Sequence, residues 1–137
     1  MAIRIVQLGT ARTQGEGVRI GTVRRPPRGV PKSEFASGNW YDVWYPMLSP
    51  SPEHMKLALG THHEPDAAKA DKDWALFTRL FRRDMAQPEA ARTLDLLAAL
   101  SHTTSFSMGC YCVEESRCHR SILRALLHER GAKIQNT

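Results

Sequence analysis

The chain has 137 residues, of which 42% are hydrophobic and 24% charged, and its net charge is +5. That length and balance fit one domain, residues 1–137, with a real core, and they argue against a disordered chain. No run of about 18 apolar residues occurs, so no membrane span is expected, and the N-terminus lacks the basic-apolar-small order of a signal peptide, so a cytoplasmic location is expected.

Ile3-Arg4-Ile5-Val6-Gln7-Leu8 alternates and is rich in β-branched residues, which predicts a strand. Val18 to Val23 alternates in the same way and predicts a second. Pro26, Pro27, Gly29 and Pro31 then break regular structure, so residues 24–39 read as a long, mobile, basic loop. Residues 1–32 hold seven basic residues against Glu16 alone, and the rest of the chain is close to neutral. Such an excess points to an anionic partner, a small phosphate-bearing ligand or nucleic acid.

Tyr41 to Tyr45 reads as a short aromatic strand stopped by Pro46. Ser51-Pro52 opens a helix, with Ser51 as cap and Pro52 at the first helical position, and that helix should end near Gly60. Asp71 to Met85 places Trp74, Phe77, Thr78, Phe81 and Met85 on one helical face. Pro88 begins another helix, which runs to about His102. Thr104 to Cys112 alternates as a strand, with Phe106, Met108, Cys110 and Cys112 on one side. A last helix is predicted from Ser116 to Arg130, capped by Gly131, and Lys133 to Gln135 could add a short strand. Alternating strands and helices predict an α/β fold: a single-domain three-layer sandwich with a largely parallel sheet and helices on both faces.

The chemistry-bearing residues gather between the last long strand and the last helix. Three cysteines crowd into positions 110 to 118, unlike the distant pairs that staple secreted domains. Cys118, in the first helical turn if Ser116 is the cap, would have its thiol pKa lowered by the helix and by Arg117 and Arg120. His119 falls near the middle of the apolar face defined by Ile122, Leu123, Leu126 and Leu127, so it should point inward and orient a neighbour or act as a base. Arg120 should flank the outer side, as a solvated group or an anion clamp. Glu114 could serve as an acid or base, or hold Arg120 or His119. Small buried cysteines and a satisfied core histidine are the competing account of the same residues. Cys-x-Cys-x5-Cys-His offers four metal donors, but its spacing matches no common zinc module and no metal is expected. The standard nucleotide-binding glycine loops do not occur, and no cofactor is named by any motif.

The strand ending Cys112-x-Glu114 followed by Cys118-His119-Arg120 resembles the signature of domain-of-unknown-function family 488, the YeaO-like small bacterial and archaeal proteins. Arg24-x-x-Pro27-Arg28-Gly29 is similar to that family's basic loop, Leu48-Ser49-Pro50-Ser51 to its helix start, and Phe77 with Phe81 to its aromatic helix. The departures are Val23 and Pro26, where the family has Asp and Trp, and the extra Cys110. The resemblance implies a small α/β domain rather than a particular reaction. The residues themselves point to an enzyme or binding domain that takes a phosphate-bearing or nucleotide-like ligand through Arg24, Arg28, Arg120 and Cys112. Cys118, His119 and Glu114 are then the candidates for thiol or acid/base chemistry. The alternative is a non-catalytic nucleic-acid-binding module that uses the basic N-terminal third. Whether the chain is an enzyme, and in what oligomeric state it works, is left open by the sequence.

Overall fold

The β-branched alternation of the first residues puts Ile3, Ile5 and Gln7 on one side of a strand and Arg4 and Val6 on the other. A computed structural model, which describes residues 1–135, shows where those sides go. Five strands, Ile3–Gln7 (β1), Val18–Gly21 (β2), Val43–Trp44 (β3), Phe106–Cys110 (β4) and Ile134–Gln135 (β5), form one all-parallel sheet in the order β3-β2-β4-β1-β5. Four helices, Pro52–Gly60 (α1), Ala67–Met85 (α2), Pro88–Leu100 (α3) and His119–Glu129 (α4), complete an α/β domain.

The register aligns Ile3, Phe106 and Val18 in one row and Ile5, Met108 and Ile20 in another on the same face. Phe77 and Phe81 of α2, Leu94 of α3 and Leu123 and Leu127 of α4 pack there, each with 0–1% of its surface exposed. Ala58 of α1 joins the same cluster, so all four helices share one core. Strand β4 is buried along its whole length, as expected of a central parallel strand.

The other face carries Arg4, Ser107 and Arg19 in one row and Val6, Gly109 and Gly21 in the next. It is covered by the connections 8–17 and 22–42. The proline-rich stretch cannot make an α-helix, so this layer consists of turns and one 3-10 segment, Lys32–Glu34. The two glycines let it sit directly on the sheet. A Cβ at Gly21 would lie 2.3 Å from the Tyr41 ring, and one at Gly109 would lie 2.7 Å from Leu8.

The basic excess of the N-terminal third is in part internal. Arg19 is fully buried, donating to Glu16 at 2.8 Å and to the carbonyls of Thr10 and Asn39 at 2.9 and 2.7 Å. Ser107 donates to Glu16 at 2.6 Å, and Arg12 pairs with Asp42 at 2.7 Å. The basic loop does not hang free either: Phe35 packs edge-on against Tyr41 at 5.2 Å, and Arg24 donates to the carbonyls of Ser49 and Pro50.

The chain leaves β2 toward the edge strand β3 and leaves β4 in the opposite direction, past β1, to β5. Because β2 and β4 are neighbours, their departing connections part and open a crevice at the carboxyl ends of these strands. Ligands of open α/β sheets bind at such a switch point.

Candidate functional site

The segment after β4 is held by its flanks. Glu115–Arg117 forms a 3-10 turn, tied to α4 by an Arg124–Glu115 ion pair at 2.6 Å. Arg117 pairs with Asp71 and lies over the Trp74 ring at 5.7 Å, and His62 donates from Nε2 to the Arg117 carbonyl at 2.9 Å. This turn displaces the helix start. Cys118, not Ser116, is the N-cap of α4, and its extended backbone (φ −123°) puts the thiol outside the first turn. Strand β4 also ends two residues earlier than the alternation suggested, so Cys112 lies beyond the sheet.

These shifts bring the three sulfurs together. Cys110, Cys112 and Cys118 are free thiols whose Sγ atoms all lie within 4.8 Å of one another, with Cys110 and Cys112 3.7 Å apart. Cys110 and Cys118 are buried at 2% exposure, and Cys112 is half-buried. The cluster adjoins Leu8, Val23 and Tyr41 at the carboxyl end of the sheet.

His119 points inward, as the helical face predicts, and its ring rests edge-on against Phe81 at 5.6 Å. Nε2 donates to the Thr22 carbonyl at 2.6 Å, which leaves Nδ1 facing the Cys118 sulfur at 3.8 Å. A carbonyl can only accept, so the tautomer is fixed: Nδ1 takes a proton from the thiol or, once protonated, donates to the thiolate. Thr22 thus orients the base from the end of β2. Nothing in the sequence singled it out, because its contribution is a main-chain oxygen.

Two thiol hydrogen bonds, from Cys110 and Cys112, together with the His119 ring, bring the Cys118 thiol well below its ordinary range and outweigh its burial. Cys110 moves the other way, raised by its hydrogen bonds to Cys112 and Cys118 and by burial. Cys112 is pushed up to about 11: its bond with Cys110 acts downward, but its bond with Cys118 and its burial prevail. Cys118 is therefore the one of the three whose thiolate form is favoured, with two thiols and an imidazole around it. The lowering comes first from the neighbouring thiols, a cause absent from the expectation of a helix end flanked by arginines.

Arg120 is not on the outer side. It is 4% exposed and donates from Nη2 to the Cys112 carbonyl at 2.6 Å, while its Nε is buried without a hydrogen-bond partner. The loop folds back over the helix start and encloses it, which a helical wheel cannot register. Glu114 is exposed and, among the described residues, makes no hydrogen bond or ion pair.

A groove of about 580 Å³ opens over the cluster, bounded by Cys110, Tyr111 and Cys112 on one side and by Arg24, Arg25 and Arg28 on the other. Met55, Lys56 and Leu59 of α1 close its third side. The arginine loop and the cysteine segment, far apart in sequence, thus share one cavity. Cys118, His119, Arg120 and Glu114 do not line it; Cys118 lies behind the two cysteines that do.

The family model DUF488-N3a, described as the active DUF488-N3 subclade, matches residues 3–131. The chain belongs to the DUF488 family. No curated protein and no solved structure matches it. The DUF488 match spans both halves of the groove, the arginine loop and the Cys-His-Arg helix start, together with the sheet that joins them.

Proposed function

We propose that the groove between the arginine loop and the cysteine cluster binds a phosphate-bearing or nucleotide-like ligand and exposes it to thiol chemistry. The observation behind this reading is the cluster itself: Cys118, set between two thiols and a tautomer-fixed histidine, behind a groove rimmed by arginines. Arg24, anchored by main-chain carbonyls, and Arg28 would hold the phosphate. Arg120 backs Cys112 and fixes the loop that carries it.

Cys110 and Cys112 are the sulfurs at the groove wall, with Cys118 behind them. Of the three, the Cys118 thiol gives up its proton most readily, and His119 Nδ1 is the acceptor 3.8 Å away. Cys118 then serves as the thiolate of the site, His119 as its base and Thr22 as the group that aims His119. The family description "active" accords with a catalytic member.

The test is ultraviolet thiolate absorbance at neutral pH. One equivalent is expected in the parent chain and none in Cys118→Ser. No thiolate band, or one equivalent of bound zinc in the purified protein, would remove the Cys118 thiolate; three sulfurs this close could also bind one soft cation. A second reading, a nucleic-acid-binding module, is favoured by the exposure of Arg25, Arg28 and Lys32 on one loop. It predicts binding that weakens steeply with salt and tolerates Cys118→Ser.

A further inference from the structure

A second cavity, of about 600 Å³, lies on the other side of Tyr111 from the cysteine groove. Arg25, Arg28 and Tyr111 line both cavities, so the two are continuous along one wall. The second differs in its chemistry: it has no sulfur, and two aromatic rings form its sides. Trp40 and Tyr111 meet edge to face at 6.0 Å and 72°, leaving ring faces available to a planar guest.

Both rings are fixed in advance. Tyr111 donates its hydroxyl to the Arg25 carbonyl at 2.8 Å. Trp40 lies flat on Gly9, where a Cβ would come within 2.8 Å of the indole and where φ is +89°. Gly9 donates its N–H to the Asn39 carbonyl, which locks this contact from the backbone side. Among the described residues, the guanidinium groups of Arg25 and Arg28 have no ion-pair or hydrogen-bond partner. Two fixed aromatic walls beside two unpaired cations match a flat, neutral ring joined to an anion.

We infer that the Trp40–Tyr111 cavity is a nucleobase subsite, so that the ligand of the proposed groove is a nucleotide whose base stacks here while its phosphate lies in that groove against Arg28, which lines both cavities. The inference rests on the proposed function for the phosphate half and adds the base. Gln7 sharpens the class. Its Nε2 is committed to the Tyr111 carbonyl at 3.3 Å, which leaves Oε1 at the cavity wall to accept from an exocyclic amine. Adenine, cytosine and guanine carry such an amine; uracil and thymine do not.

The experiment is calorimetric titration of the full chain with adenosine monophosphate, uridine monophosphate, ribose phosphate and a short single-stranded oligoadenylate. Base stacking on aromatic side chains predicts that adenosine monophosphate binds at least about tenfold more tightly than ribose phosphate. Uridine monophosphate should fall between them. Trp40→Ala should abolish the advantage of the base while leaving ribose phosphate affinity unchanged, and Arg28→Ala should weaken both. Equal affinity for adenosine monophosphate and ribose phosphate in the parent chain would overturn the base subsite and spare the phosphate reading. No binding of either would overturn both. Tighter binding of the oligonucleotide than of the mononucleotide would assign the base to a nucleic-acid strand; the reverse would assign it to a free nucleotide. The parent comparison needs no variant, so a misfolded Trp40→Ala chain does not blunt it.

Discussion

Two arginines are buried in this domain, one on each side of the sheet, and they are treated in opposite ways. Arg19, between the sheet and the N-terminal loops, spends its guanidinium on Glu16 and two carbonyls. Its carboxylate partner is itself satisfied by Ser107 and by the Thr13 N–H. Arg120, at the mouth of α4, keeps an unpartnered Nε and supports a loop of ionisable sulfur that opens onto a groove. A closed network of this kind holds a fold, whereas an unfinished one beside a cavity is the arrangement expected of a working site.

That contrast can be broken most directly at Glu16. Glu16→Ala leaves Arg19 charged and enclosed, and the expected loss is about 3–5 kcal/mol in urea unfolding. A change below about 1 kcal/mol would mean that the Arg19 network does not hold the sheet to its loops. Acid should reach the same bond. Burial alone would raise the Glu16 carboxyl, but Arg19, Ser107 and the Thr13 N–H outweigh it and hold the carboxyl at about 2, against an ordinary 4.5. The folded-state value is the lower one, so its stabilisation is complete above about pH 4.5 and is lost as pH falls toward about 2. The loss should total about 3 kcal/mol across that window, and Glu16→Gln should remove this share of the slope.

Changes on the other side should act on chemistry more than on folding. Cys118→Ser should cost about 1 kcal/mol or less in stability while making Cys112 alkylation faster, since the bond with Cys118 that pushes its thiol up is gone. Slower alkylation would show that Cys118 does not hold the Cys112 proton in place. The smallest effect is expected of Arg120→Met, with stability within about 1 kcal/mol of the parent because only one strong hydrogen bond is lost and an unpaired polar atom goes with it. A loss as large as that of Glu16→Ala would make the two arginines equivalent after all.

What the sequence revealed follows the same division. Elements written in local pattern were legible: the Ser51-Pro52 helix start, the aromatic face of α2, the alternation of β1 and the inward His119. Helix α2 begins at Ala67 rather than Asp71 because Asp66 caps it, accepting from the Ala68 and Lys69 N–H groups, ahead of any apolar periodicity. What depended on chain folding back over chain was not legible. Arg19 alternates like a solvent-facing strand residue and is covered by loops from elsewhere. Arg120 sits on the polar stripe of its helix and is enclosed by residues 112–113. Ser116 is a better cap by type than Cys118, but the 3-10 turn held by Arg117 and Glu115 moves the helix start past it. The arginine loop and the cysteine segment were named as partners, yet the cavity they share needed the β2–β4 adjacency to form it.

The sheet's outer strands have a further consequence. β3 and β5 pair over two residues each, against four and five for the register between the inner strands. An edge that short offers an incoming strand almost no ladder to extend, even though Val43 and Trp44 are exposed there. A chain with an all-parallel sheet, slow to assemble and carrying exposed apolar side chains on one border, thereby limits how far copies of itself could zip together into fibrils.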